Sequence, residues 1–302
     1  MKQSVQEHIV IYLKGLAMGA ADVVPGVSGG TIALITHIYE RLIKAIDKVS
    51  LTLLLQLLGP NRKAAWRSLD GSFLLALALG IATGILIVSS GISWLLTAYP
   101  IPLWAFFFGL ILASAFVLKN SVSSWNIPAF TAMALGFLVA LGIGLITPSS
   151  GSNSLLYLFF CGMLVVIAMI LPGISGGFIL ILLGAYETAL NALDKIKAFE
   201  IEGLIVFLVM AAGGLIGLKA FARVLRWLFS QHKNSILATM TGFLMGSLYK
   251  VWPWKKITAH YTNSKGIEEP LTTTVTLPEL SNPDAQVVLA TSAFIAALCL
   301  LY

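Results

Sequence analysis

Val24-Pro25-Gly26-Val27-Ser28-Gly29-Gly30 returns further along the chain as Leu171-Pro172-Gly173-Ile174-Ser175-Gly176-Gly177. An acidic pair follows each copy, Tyr39-Glu40 after the first and Tyr186-Glu187 after the second. Pro25 to Pro172 and Glu40 to Glu187 are the same separation, 147 positions. Proline removes a backbone donor and glycine adopts dihedrals that other residues avoid, so Pro25-Gly26 and Pro172-Gly173 each break a helix. Two such breaks in one apolar chain mark an architecture built from repeats, with a site where the broken helices meet.

Hydrophobic residues make up 58% of the 302 positions, and only 11% are charged. No Asp, Glu, Lys, Arg or His occurs between 71 and 118, or again between 120 and 186. A soluble core does not need such stretches, whereas a bilayer core of ~30 Å does. The chain therefore reads as an all-α polytopic membrane protein, one membrane domain over 1–302. The net charge of +6 is no nucleic-acid signal, because the basic residues cluster beside apolar segments, as in loops facing anionic lipid. Cys161 and Cys299 lie in apolar runs without metal-ligand spacing. The apolar residues 9–13 followed by Gly19-Ala20-Ala21 resemble a signal peptide. Lys14 interrupts that run, and cleavage would remove half of a repeat, so no cleavage is expected.

Six segments are long enough to cross, roughly 72–92, 101–118, 128–147, 203–225, 234–251 and 286–302. The motif regions read instead as pairs of half-length helices, 9–21 with 29–39 and 156–171 with 176–190. A helix–break–helix can enter the bilayer and return, provided its backbone is covered by protein or lines a cavity. Three spans lie between the two hairpins, so the second must enter from the opposite face. The expectation is two inverted repeats, about 8–147 and 155–302, each a re-entrant hairpin plus three helices. Gly109-Leu110-Ile111-Leu112-Ala113-Ser114 parallels Gly242-Phe243-Leu244-Met245-Gly246-Ser247, and Trp94-Leu95 parallels Trp227-Leu228, both at a separation of 133. The segment 51–69 supplies the extra length of the first repeat. Arg41, Lys44, Lys48, Arg62, Lys63, Arg67, Lys119, Arg223, Arg226 and Lys233 fall on one side, with Lys195, Lys197, Lys255 and Lys256 on the other. The richer side should be cytoplasmic, with both termini there. The polar stretch 252–284 reads as an external loop.

Helices beginning near Ser28 and Ser175 would present free N–H groups and the positive end of a dipole, about +0.5 charge. Under the inverted arrangement they face one cavity and form an anion site, with Ser28, Gly29, Gly30 and Thr31 on one side and Ser175, Gly176 and Gly177 on the other. Position 178 is Phe where the first copy has Thr31, so the site is not symmetric. The simpler reading is that the motif only breaks and packs a helix. Asp22, whose partner position is Met169, has two readings: a coupling acid beside the anion, or a cap on the break. Glu40 and Glu187 fall about 18 Å along a helix from the serines, near the two surfaces, as gating groups or interfacial anchors. Arg41 could bond a phosphate bidentately or act as a positive-inside residue. No enzyme signature, zinc spacing or cofactor motif occurs.

The stretch from Ala21 to Thr31 with Tyr39-Glu40-Arg41, and Leu171-Pro172-Gly173-Ile174-Ser175-Gly176-Gly177-Phe178 with Leu183-Gly184-Ala185-Tyr186-Glu187, resembles the polyprenyl-phosphate transporter family of bacteria and archaea. The resemblance covers essentially the whole chain. It implies a lipid flippase of the bacterial cytoplasmic membrane that recycles undecaprenyl phosphate for cell-wall synthesis, by alternating access, coupled to H+ or Na+. This fits the reading of the residues: a phosphate cradle of Ser28, Gly29, Gly30, Thr31, Ser175, Gly176 and Gly177 with Arg41, and coupling or gating by Asp22, Glu40 and Glu187. One departure is His37, where the family carries glycine. The rival classes are a carrier or channel for a small anion, and an intramembrane enzyme acting on lipid phosphates.

Overall fold

The computed structural model describes residues 5–24, 27–262, 268–278 and 285–300. The chain is mostly helical. The first half runs α1 (Val5–Asp22), α2 (Gly29–Ile35), α3 (Tyr39–Lys48), α4 (Leu51–Leu58), α5 (Arg62–Ser68), α6 (Gly71–Ala98), α7 (Pro100–Lys119) and α8 (Ile127–Leu145). The second runs α9 (Leu155–Ile170), α10 (Gly176–Leu182), α11 (Tyr186–Lys197), α12 (Ile201–Gln231), α13 (Lys233–Ser247), a hairpin of β1 (Lys255–Thr262) with β2 (Glu268–Val275), and α14 (Val287–Cys299).

All six expected spans form helices. Four of them, α6, α7, α8 and α12, are long and apolar enough to cross a bilayer alone. The other two are shorter than expected, 15 residues in α13 and 13 in α14. Apolar side chains on α6, α8 and α12, such as Leu86, Leu138 and Leu215, point outward. In water that exposure would be costly, but against lipid tails it costs nothing. The core instead surrounds α7 and α13, whose Ile111, Ser114, Ala238 and Leu244 are fully buried.

Small residues set the crossings, as membrane helices require. A Cβ added at Gly80 would strike the Tyr12 carbonyl where α6 crosses α1, and one at Gly213 would strike the Phe159 carbonyl where α12 crosses α9. These glycines stand at the 133-position separation already seen in the sequence. Gly109 meets the Phe294 carbonyl of α14, and Gly242, at the same separation, meets the Met133 carbonyl of α8. Each half thus lends its middle helix to the last helix of the other.

The polar stretch beyond α13 differs from the expected loop. Threonine and other β-branched or aromatic residues in both segments pair it into an antiparallel hairpin, with Lys255 opposite Val275. Tryptophan N–H groups secure its base, Trp252 to the Thr276 carbonyl and Trp254 to the Ala285 carbonyl, each at 2.9 Å.

Candidate functional site

The first break is a sealed joint. Pro25 and Gly26 lie outside the described residues, but the flanks are well defined. Ser28 caps α2 by accepting from the Gly30 N–H at 3.1 Å, and its hydroxyl donates across to the Met169 or Leu171 carbonyl, each 3.2 Å away. The Thr31 hydroxyl accepts from the Gly173 N–H at 3.1 Å, and Tyr39 donates to the Ile170 carbonyl at 3.0 Å. The last carbonyls of α9 have no intrahelical partner, and the first half supplies these hydroxyls to them. Gly30 is needed because a Cβ would collide with the Ile170 carbonyl. Asp22 accepts from the Gly29 N–H at 2.6 Å, so it caps the break. Ser28 and Thr31 are each 1% exposed. In this conformation the first copy of the motif is therefore not an open cradle, because its donors are already bonded within the protein.

The second break is looser. Ser175 stands at the N-cap of α10 without a side-chain capping bond. Pro172 and Gly173 are buried, Gly173 at φ +80°, a region that favours glycine. Gly176 is buried against Met169, whereas Gly177 is exposed and a Cβ there would meet only the Ser175 hydroxyl, 3.8 Å away.

Both half-helices stop after seven residues, about 10 Å, for one local reason. The N–H of Ile38 returns to the Ala33 carbonyl and that of His37 to Leu34; Ala185 and Gly184 bond Leu180 and Ile181 in the same way. This Schellman turn needs a left-handed residue, supplied by His37 at φ +59° and Gly184 at φ +59°. The freed carbonyl is then capped from the preceding helix, Thr36 by Lys14 at 2.7 Å and Leu183 by Tyr157 at 2.5 Å. The half-helices 29–39 and 176–190 expected from the sequence are thus too long, and the 18 Å helical path to the acids is absent. Glu40 and Glu187 instead open new helices, α11 being bent 109° from α10.

A cavity of about 680 Å³ lies beyond the end of α2 and is lined by Leu34, His37, Glu40, Arg41, Lys44, Lys48, Asp70 and Lys233, with Leu118, Phe229 and Leu237 among its apolar residues. Arg41, Lys44 and Lys48 recur at helical spacing, so α3 turns one basic face to it, with His37 just ahead of that helix. Arg41 is strongly committed. Its Nε and Nη2 grip Asp70 at 2.6 and 3.1 Å, Nη1 reaches Glu7 at 3.0 Å, and the guanidinium lies 4.3 Å over Phe73. Hydrogen bonding to Asp70 foremost, opposed by partial burial, holds Arg41 firmly protonated. Glu40 pairs with Lys233 at 2.6 Å and with Lys44 at 3.5 Å. Burial pushes its carboxyl up, but the hydrogen bond and charge of Lys233, then Lys44, outweigh this and hold it below the usual range. Lys48 has no ion-pair partner among the described residues. The buried Asp47, on the inner face of α3, faces Arg226 at 2.8 Å, Arg223 at 3.7 Å and Lys219 at 3.9 Å, all from α12.

The structure thus joins Ser28, Gly30 and Thr31 directly to the second break, and places Glu40 and Arg41 together in a basic cavity. Glu187 is not part of that cavity. From the sequence Lys44, Lys48 and Lys233 read only as charges on one side, Lys14 only as a break in an apolar run, and Asp47 has no role. The spacing of the basic residues along 41–48 is a legible signal; the partners on α12 and α13, far away in sequence, are not.

Residues 18–269 match the VCA0040-like family, described as undecaprenyl phosphate translocase-like. A Vibrio cholerae protein named polyprenyl-phosphate transporter is 40% identical over 271 residues, 90% of this chain and 86% of that one. A Staphylococcus aureus protein of the same name is 31% identical over 253 residues, 80% of this chain and 85% of that one. No solved structure matches. With a profile match over most of its length and two relatives aligned nearly end to end, the chain belongs to the undecaprenyl phosphate translocase-like family.

Proposed function

We propose that this protein carries undecaprenyl phosphate or a related polyprenyl phosphate across the bacterial cytoplasmic membrane, returning the carrier lipid to the inner leaflet. The observation that carries this reading is the cavity: four cations, two carboxylates and apolar residues in one space of about 680 Å³, beside the joint between two helix breaks. A phosphate needs the cations, and they cost least where carboxylates hold them until the ligand arrives. The names of the relatives give the substrate class.

In this reading the joint of Ser28 and Thr31 opens, so that Ser28, Gly29, Gly30 and Thr31 come to share the headgroup with Ser175, Gly176 and Gly177, while the tail stays in lipid. The phosphate then passes to Lys48, Lys44 and Lys233 at the cytoplasmic mouth. Glu40 and Asp70 release their cations as it arrives. The exchanged packing of α7 on α14 and α13 on α8 supports two inverted repeats that rock against each other. Both termini lie in the cytoplasm, and H+ or Na+ drives the cycle.

The test is flipping of a labelled polyprenyl phosphate in liposomes holding the purified protein, with and without a pH gradient. Transport that inorganic phosphate does not compete away is expected. Competition by inorganic phosphate, with no lipid movement, would establish a small-anion carrier instead, and release of phosphate from the lipid would establish an enzyme. Asp22→Asn keeps a capping oxygen. It should leave thermal stability near wild type and remove the pH dependence of flipping if Asp22 is the coupling acid.

A further inference from the structure

The cavity beside Arg41 serves one end of the bundle. Two helices lead from it to the other end. Lys233 opens α13 at the cavity, and α13 continues for 15 residues, about 22 Å, to Ser247. Leu118, next to the end of α7, lies at the cavity, and the helix begins at Pro100, about 27 Å away. At this far end stand two lysines that the transport scheme above does not use.

Lys250, just past α13, holds its ammonium 4.1 Å over the ring of Phe178. Phe178 is the third residue of α10 and follows Gly177, the exposed glycine of the second break. Lys255, the first residue of β1, holds its ammonium 4.0 Å over the ring of Trp104 on α7 and donates to the Lys250 carbonyl. Both are half-buried, and neither forms an ion pair among the described residues. Trp252, between them in sequence, packs edge-on against Phe108 and Trp254 and is fixed through its N–H to Thr276. The lysines are thus held by rings and a carbonyl, in an aromatic setting, without a counter-charge among the described residues.

Two cations brought together in partly apolar surroundings repel each other and lose hydration. Aromatic faces return only part of that. Burial first, and the neighbouring Lys250 second, push the Lys255 amine down to about 7. Burial also lowers Lys250. A site of this kind is completed by an anion. A phosphate monoester carries close to two negative charges at pH 7 and matches two ammoniums.

We infer that Lys250 and Lys255 form a second phosphate-binding site, which receives a phosphate monoester at the end of the bundle opposite the Arg41 cavity. That the monoester is the head of a polyprenyl lipid rests on the proposed function; the site itself rests on the two unpaired cations. It gives the carrier a docking point at each mouth, a mixed cavity of Arg41, Lys44, Lys48 and Lys233 at one end and an aromatic dilysine clamp at the other.

The test uses the full chain in phosphatidylcholine nanodiscs, with Trp104, Trp252 and Trp254 as fluorescent reporters beside the lysines. Farnesyl phosphate, farnesol and inorganic phosphate are titrated separately, and flipping of labelled polyprenyl phosphate is assayed in parallel. Farnesyl phosphate should bind, and farnesol should bind at least about tenfold more weakly, the loss expected for charge-assisted hydrogen bonds. Lys250→Met and Lys255→Met should each weaken farnesyl phosphate by about tenfold, while Lys255→Arg retains most of the affinity. Thermal unfolding of the same variants separates loss of the site from loss of the fold. A Lys250→Met, Lys255→Met double variant that is folded and binds farnesyl phosphate like wild type overturns the inference, and does so without touching the transport reading if flipping persists. Binding of inorganic phosphate that needs both lysines, in a protein that moves no lipid, keeps the site and removes the lipid-transport reading.

Discussion

At the first break, the hydroxyls of Ser28 and Thr31 are buried and bonded across to residues 169–173. At the second, Ser175 caps nothing and Gly177 looks into open space. The two stretches share proline, three glycine positions, serine and the downstream Tyr-Glu pair, yet one is a lock and the other is free. The difference traces to single positions. Thr31 offers a hydroxyl where the second copy has Phe178, and Asp22 offers a carboxylate where it has Met169. A duplicated motif can thus place one half in a closed state while the other stays open, and a carrier exposing one mouth at a time requires that inequality.

The largest effect should come from Ser28→Leu. It removes the hydroxyl that serves Gly30 and the end of α9, and overfills a closed site, a loss of about 3 kcal/mol in stability together with all flipping. Ser175→Leu should also stop flipping while thermal unfolding stays within a few degrees of wild type. If the two variants lose stability equally, the breaks are not lock and free end.

A smaller effect is expected from Thr31→Val, which keeps the shape but leaves the Gly173 N–H without its acceptor, about 1–2 kcal/mol by chemical denaturation. Phe178→Thr, the reciprocal change, should leave stability closer to wild type, since the ring packs on Lys250 rather than sealing a joint.

The two Schellman turns allow an opposed pair of outcomes. Gly184→Ala strains a left-handed position and drives a Cβ into the Ser149 carbonyl, so it should cost at least about 1–2 kcal/mol. His37→Gly relieves the same strain, and a gain of about 0.5–1 kcal/mol is expected.

The smallest effect is a pH dependence. Lys255 titrates near 7, below the ordinary lysine range, and its charged form is the one an anion favours. Lys250 is the charged neighbour that bears on it. Binding then takes up a proton, so affinity for farnesyl phosphate should rise as pH falls from about 9 toward 7 and level off below, with about a tenfold span. Lys255→Met should flatten that curve; an unchanged curve would assign the proton uptake to another group.

Much of this organisation is legible in the sequence. The paired breaks, the six helical segments and the matched glycines depend on local chemistry and on a fixed separation, both visible in one chain. The hidden parts depend on contacts between distant segments. Nothing near Ser28 says that its hydroxyl meets a carbonyl about 140 positions away, and nothing near Asp47 names Arg226. The stop at His37 was hidden for a different reason. Histidine rarely takes a positive φ, so residues 29–39 read as one helix; the hints of a turn are the equivalent Gly184 and the glycine that the resembled family carries at position 37. The hairpin beyond Trp254 was missed because threonine-rich polar segments in a membrane chain read as loop.

The mooring of α3 has a mechanical consequence. Asp47 fastens α3 to the last third of α12 through Arg223 and Arg226, and Gly203, near the start of α12, lies against the Ala192 carbonyl of α11. Between these two fastenings, Gly213 and Gly217 bring α12 into close contact with α9. One helix of 31 residues, about 46 Å, is thus tied to α9 at its waist, to α11 near its start and to α3 near its end, so any displacement of α12 is felt by all three.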